Sequence, residues 1–177
     1  MAAANAIFLI GPMGSGKSTV GASLAQRLGL DFRDSDDRVE GLTGATIPSL
    51  FETLGEAGFR DREETALEEL TQAGPMILAT GGGAVLRPAN RGRLSERGTV
   101  IYLTASVATQ LERTRGSDRP LLRTDDPAAR LATLLAERDP LYRATAHHVV
   151  DTDDAATESI VETIIERTER SHRGTNR

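Results

Sequence analysis

Ile7-Phe8-Leu9-Ile10-Gly11-Pro12-Met13-Gly14-Ser15-Gly16-Lys17-Ser18 is the stretch on which the fold turns. Its first four residues form an apolar run rich in β-formers and stopped by Gly11-Pro12, which predicts a short buried strand. From Gly11 onward it fits G-x-x-x-x-G-K-[ST], a loop whose glycines let successive backbone N–H groups curl around phosphate oxygens. Apolar residues then recur at Val20, Leu24 and Leu28, near helical spacing, and Gly29 suits the C-terminal cap. The helix presents its positive end to the same anion. Lys17 is placed to reach the outer phosphates, and Ser18 offers a hydroxyl to Mg²⁺, which usually keeps several waters and bridges phosphates. The bland alternative, a glycine turn with an exposed lysine, explains neither the motif nor its setting between strand and helix.

Outward from this unit, residues 76–79 and 100–103 are further apolar runs, each preceding a segment with helical patterning, and 148–150 supplies another candidate strand. Leu30-Asp31-Phe32-Arg33 is a candidate short strand beside the first. Helical patterning also appears over 47–54, 59–70, 107–113, 128–138 and 158–167. Strands alternating with helices predict parallel pairing through right-handed crossovers. The result is an α/β three-layer sandwich, helices on both faces of the sheet, with ligands beyond the carboxyl ends of the strands. Residues 116–127 hold Gly, Ser, two Pro, three Asp and two Arg with little apolar periodicity, and are expected to form a mobile lid. Residues 171–177 are polar and terminal, so a disordered tail is expected there, after a single domain over 1–170.

Composition narrows the partners. The chain has 177 residues, 38% of them hydrophobic and 27% charged, ordinary values for one globular core. A net charge of −5 removes the non-specific attraction that draws proteins to nucleic acid or anionic lipid, so neither is expected as a partner. Cysteine is absent, which excludes disulfides, a thiolate nucleophile and a cysteine zinc site. Only four apolar residues follow Ala6 before Gly11, too few for a signal-peptide core or membrane span, and a cytoplasmic enzyme is expected.

A phosphate cradle does not choose among a GTPase, an ATPase motor and a small-molecule kinase. A common arrangement places an Asp at the end of a later strand to help hold the metal. Here Met76-Ile77-Leu78-Ala79-Thr80 runs instead into Gly81-Gly82-Gly83. The nearest substitute is Asp34-Ser35-Asp36: Asp34 facing the metal waters, Asp36 facing a bound alcohol and accepting its proton as the γ-phosphoryl arrives. Against this stands the possibility that Asp36 or Asp37 merely caps a short helical turn. Three glycines in a row exceed what one turn needs, and suit a backbone that must approach a ligand closely; a simple loop after a strand is the alternative. Arg60, Arg119 and Arg138 each lie beside a turn or helix end. Most arginines are solvated surface charges, but a guanidinium is a planar fork that matches a carboxylate, and Arg119, in the lid, would close over ATP phosphates.

With Asp34-Ser35-Asp36, Gly58-Phe59-Arg60, Gly81-Gly82-Gly83, Arg119-Pro120-Leu121-Leu122 and Arg138-Asp139-Pro140-Leu141-Tyr142 following the phosphate loop in this order, the chain resembles the shikimate kinases from about residue 7 to 152. The resemblance implies a nucleoside-monophosphate-kinase-like P-loop fold with a central five-stranded parallel sheet, a substrate-binding region near 34–61 and a closing lid. It implies that Asp36, Arg60, Gly82 and Arg138 hold shikimate, Gly81 and Gly83 flanking Gly82, with Arg60 and Arg138 on the carboxylate and Asp36 on the reacting hydroxyl. It further implies ATP contacts from Gly14, Ser15, Gly16, Lys17, Ser18, Thr19 and Arg119, with Arg113 stacking on adenine and Ser18 and Asp34 serving Mg²⁺. Lys17 and Arg119 join Asp36 as catalytic groups. The implied reaction, by a monomer, converts ATP and shikimate to ADP and shikimate 3-phosphate, a step of aromatic amino-acid biosynthesis. A gluconate kinase is the nearest rival. A nucleoside-monophosphate kinase would need a second nucleotide site, a GTP switch would need an N-K-x-D motif that is absent, and a catalytically dead nucleotide-binding regulator would bind ATP without turnover.

Overall fold

Phe8, Leu9 and Ile10 are fully buried, because an unbroken apolar strand is stable only where both faces are covered. They belong to β1 (Ile7–Ile10), the middle strand of a parallel sheet in a computed structural model that describes residues 6–174. Beside it run β3 (Ile77–Ala79) and β4 (Thr99–Thr104), with β2 (Phe32–Asp34) and β5 (His148–Asp151) at the edges, in the order β2-β3-β1-β4-β5. All four pairings are parallel, so all five carboxyl ends open on one side, as the strand–helix alternation requires.

The alternation along the strands sorts the core into two halves. Ile7, Leu9, Ile77, Ile101 and Leu103 face α1 (Lys17–Leu28) and α7 (Thr157–Gly174), meeting Val20, Leu24, Ile160 and Ile164. Phe8, Ile10, Leu78, Val100 and Tyr102 face the other way, onto Leu67 and Leu70 of α3 (Ile47–Leu70), Leu94 of α4 (Pro88–Arg97) and Tyr142 of α6 (Pro127–Thr145). Helix, sheet, helix is the predicted layering. Gly29 caps α1 in the left-handed conformation, φ 66°, as its position suggested. Among the described residues no helix is long and apolar enough to cross a membrane.

Gly11 ends β1 with φ 146°, and a Cβ there would lie 2.4 Å from the Leu103 carbonyl oxygen, a backbone atom that cannot step aside. Gly11→Ala is therefore expected to cost about 2–3 kcal/mol, lowering the melting temperature by roughly 5–10 °C in a thermal scan.

The two helical segments expected over 47–54 and 59–70 form one element, α3, broken by Gly55 at φ 68° and ψ −179°. Its C-terminal half is tied to α4 by a ladder of ion pairs. Arg87 meets Asp61 at 2.7 Å and Glu64 at 3.0 Å, Arg93 meets Glu64 at 3.3 Å and also Glu68, and Arg97 meets Glu68 at 3.2 Å. Singly such half-exposed pairs are weak; a shared network fixes geometry better than its members alone.

One expectation is corrected at the C-terminus. Residues 171–174 continue α7 and are not a disordered tail. Ser171 Oγ bonds back to the Arg167 carbonyl at 3.2 Å and meets His148 Nε2 at 3.1 Å, contacts that support one more helical turn. Residues 175–177 lie outside the described part of the chain.

Candidate active site

The carboxyl end of β1 runs into the phosphate loop, where Gly14 (φ 78°) and Gly16 (φ 85°) supply left-handed conformations and Gly16 leads directly into α1. Lys17 does not extend outward. Its ammonium donates to the carbonyls of Gly11 (2.7 Å) and Pro12 (2.8 Å) and lies 3.4 Å from Ser15 Oγ. Burial first, then the positive charge of Arg119, pulls its pKa down to about 7. An anion in the loop opposes both causes and favours the charged lysine.

β2 ends at Asp34, which caps α2 (Ser35–Thr43): Oδ1 accepts from the Asp36 backbone N–H at 2.9 Å. Oδ2 accepts from Ser18 Oγ, also at 2.9 Å. The helix cap is thus Asp34, and neither Asp36 nor Asp37 is spent on it. The Ser18 hydroxyl and Asp34 carboxylate form a pair of hard oxygen donors on the wall of the phosphate cleft, the donor set that suits Mg²⁺. Among the described residues no group of three or more His, Cys, Asp or Glu side chains is placed to hold a metal ion.

Asp36, the second residue of α2, makes no hydrogen bond through its carboxylate among the described residues and faces a cleft of about 640 Å³. Burial, then the negative charges of Asp34 and Glu63, raises its pKa to about 6. Arg60 and Arg138 enter the same cleft from α3 and α6, 7% and 4% exposed. Arg60 donates to Glu63 at 2.8 Å and to Glu56 at 3.2 Å. Glu63 is fully buried, and the loss of solvent raises its pKa against the opposing pull of Arg60. Arg60 Nε, Glu63 Oε2 and Arg138 Nε are buried without hydrogen-bond partners. Such orphans are costly unless a ligand or water satisfies them.

The glycine triplet follows β3, tethered to α2 by a bond from Gly81 N–H to Ser35 Oγ at 2.9 Å. The need for glycine here comes from neighbouring side chains. A Cβ at Gly83 would lie 2.2–2.5 Å from the Arg60 guanidinium, and one at Gly81 would lie 2.7 Å from Glu63 Oε2 and 3.0 Å from Asp36 Oδ1. A Cβ at Gly82 would come no closer than 3.4 Å to any atom. The triplet thus makes room for the charged groups of the cleft.

The second cleft, about 930 Å³, lies over the phosphate loop and is lined by Gly14, Gly16, Lys17, Ser18, Thr19 and Asp34. Met13, Asp36, Gly81, Gly82 and Arg119 line both clefts and mark where they join. Arg119 opens the short 3-10 turn Pro120–Leu122 in the connection between α5 (Val107–Thr114) and α6. Arg113 stands at the edge of the phosphate cleft, its guanidinium donating to Gly14 O (3.1 Å), Thr152 Oγ1 (3.1 Å) and Thr152 O (3.0 Å).

Sequence reasoning missed Glu63, and it missed the apolar wall of the first cleft, where Phe51 and Phe59 pack with ring centroids 4.6 Å apart. Glu63 was within reach: it lies three residues after Arg60 in a helical pattern, the spacing of an i,i+3 pair.

Comparison with known proteins agrees with this geometry. The family model for shikimate kinase matches residues 13–169. A shikimate kinase of Halorhodospira halophila is 55% identical over 161 residues, 90% of this chain and 91% of the relative. One from Acinetobacter baylyi is 51% identical over 160 residues, 90% and 89% of the two chains. The solved structure of Acinetobacter baumannii shikimate kinase in complex with shikimate superposes with a TM-score of 0.92 at 47% identity, covering 94% of each chain. With a phosphate loop, an orphan-lined acidic and basic cleft beside it and these similarities over nine-tenths of its length, the chain belongs to the shikimate kinase family.

Proposed function

We propose that this protein transfers the γ-phosphoryl group of ATP to the 3-hydroxyl of shikimate, giving ADP and shikimate 3-phosphate for aromatic amino-acid synthesis. The observation that carries the proposal is the placement of Asp36 and Arg119 on the shared wall of the two clefts. A proton acceptor and a cation are wanted at the point where an alcohol in one cleft meets a phosphate in the other.

The guanidinium groups of Arg60 and Arg138, which line the cleft, take the shikimate carboxylate, and the Gly81–Gly83 backbone lies along the ring. The acceptor hydroxyl oxygen bonds to the γ-phosphorus as the bond from that phosphorus to the bridging oxygen of ADP breaks. The hydroxyl proton passes to an Asp36 carboxylate oxygen. Residues 14–19 cradle the phosphates, Lys17 exchanges its loop carbonyls for phosphate oxygens, Arg119 stabilises the charge of the group in transfer, and Arg113 flanks the adenine. Ser18 and Asp34 would hold Mg²⁺, directly or through water, and the cation would supply charge neutralisation to the phosphates. A monomer working in the cytoplasm, where ATP is at hand, completes this reading.

ADP release with Mg-ATP and shikimate, gluconate, AMP or no acceptor tests the assignment. Turnover specific to shikimate is expected; stimulation by gluconate or AMP instead reassigns the acceptor, and none at all removes the activity.

Residues 116–127, all but Pro127 in the connection before α6, act as the lid, bringing Arg119 onto the phosphates and excluding water that would hydrolyse ATP. Its amides are expected to gain protection from hydrogen exchange only with nucleotide and shikimate both bound. Exchange unchanged by both ligands together rules out closure.

A further inference from the structure

We infer that Tyr142 is a positioning residue for the acceptor site: its hydroxyl holds the Gly82 carbonyl and thereby sets the peptide that presents the glycine-loop amides to the substrate. This rests on the reading of the Gly81–Gly83 loop as part of the shikimate site.

The Tyr142 hydroxyl donates to Gly82 O at 2.5 Å, across 60 positions of sequence. The other two carbonyls of the triplet are bound within their own turn, Gly81 O by Ala84 N–H (3.0 Å) and Gly83 O by Leu86 N–H (3.1 Å). Gly82 O is the one that reaches outside the loop. The peptide joining Gly82 to Gly83 is planar and trans, so a fixed carbonyl fixes the opposing Gly83 N–H. Neither the Gly82 nor the Gly83 N–H donates to a protein group among the described residues, and both glycines line the acceptor cleft. Two free donors on a run of glycines have a large conformational space to lose on binding. A tether from a buried, rigid side chain removes that freedom beforehand.

Tyr142 is well made for the task. It lies one helical turn beyond Arg138 on α6, so a single helix carries both the arginine that enters the cleft and the phenol that holds its floor. Only 1% of it is exposed, and its ring packs on Tyr102 with centroids 4.9 Å apart. The Tyr102 hydroxyl in turn donates at 2.7 Å to Asp139, the neighbour of Arg138, and Asp139 also accepts from Arg143 at 2.8 Å. The phenol is therefore braced by β4 and α6 together. Burial raises its pKa to about 12, so it remains a donor across the working pH range.

Tyr142→Phe removes the oxygen and leaves the ring. Steady-state kinetics are expected to show the shikimate KM raised roughly 5- to 30-fold, the loss of one buried hydrogen bond and the disorder it permits, with the ATP KM within about twofold. An unchanged shikimate KM, or equal losses for both substrates as a loosened core would give, overturns the inference. Failure of the wild-type enzyme to use shikimate overturns the function and this inference together; wild-type turnover with an insensitive Tyr142→Phe overturns the inference alone. Should the variant not fold, the two tyrosines of the chain allow a second readout. Labelled throughout with 3-fluorotyrosine and assigned with Tyr102→Phe, the Tyr142 fluorine resonance is expected to shift on saturation with shikimate and to stay in place with ADP. No shift with shikimate also defeats the proposal.

Discussion

Asp36→Asn is expected to lower turnover by on the order of 10²-fold or more while ATP affinity stays within about twofold. Asparagine has the same shape, and the backbone N–H that Asp36 gives to the Asp34 cap is untouched, so α2 keeps its start. What is lost is the ability to take a proton. A pKa near 6 leaves the carboxylate ionised at neutral pH yet more basic than an ordinary aspartate, the compromise a general base needs. The substitution also removes one of three clustered carboxylates, since Asp34 and Glu63 both oppose the Asp36 charge. The melting temperature should therefore hold or rise as activity falls, the pattern of a group kept for chemistry at the expense of stability. Kinetics, an ATP titration and a thermal scan on one preparation decide the matter; undiminished turnover strips Asp36 of the role.

Gly83→Ala is expected to weaken shikimate binding by about 30-fold or more without replacing any charged residue. The backbone at Gly83, φ −95°, accepts alanine without strain, so the whole effect comes from the new methyl and the Arg60 guanidinium 2.2 Å away. The arginine is the flexible partner and must yield, leaving its 2.8 Å bond to buried Glu63. Truncating or displacing one member of a buried charge pair typically costs 2–5 kcal/mol, here divided between the empty site and its ligand. Because the methyl acts through Arg60, Gly83→Ala should add nothing to Arg60→Ala, and a double-mutant cycle measures that coupling. Additive losses, or normal shikimate affinity in Gly83→Ala, would separate the loop from the clamp.

Much of the site was legible because its parts are contiguous or periodic. The phosphate loop is one unbroken word between an apolar run and a helix, and β1, α1 and the Gly29 cap follow from it directly. Asp34, Asp36, Arg60, Arg119, Arg138 and the glycine triplet all come to the joined clefts. The division of labour was less legible. Three aspartates within four residues can each cap a helix, and only the backbone geometry shows that Asp34 does so while also accepting from Ser18. The triplet's contacts with Arg60 and Glu63, and the bond from Tyr142 to Gly82, join positions far apart in sequence and leave no periodic trace. α4 was left without bounds because only Asn90 and Leu94 of its ten residues are buried, too few to print an apolar stripe. The C-terminal turn of α7 was misread as a tail because its support is a hydroxyl and a histidine contact.

The break at Gly55 divides the acceptor cleft into parts with separate engineering prospects. Arg60 and Glu63 stand on the half of α3 that the ion-pair ladder fastens to α4, whereas Ile47, Pro48 and Phe51 stand on the half before the break. Arg60 thus stands on a different segment from Ile47, Pro48 and Phe51, which share the apolar wall with Phe59 beyond the break. Residues 47–54 can be redrawn to admit a bulkier hydroxy acid, while the carboxylate clamp, with Arg60 beyond Gly55 and Arg138 on α6, stays in its original register.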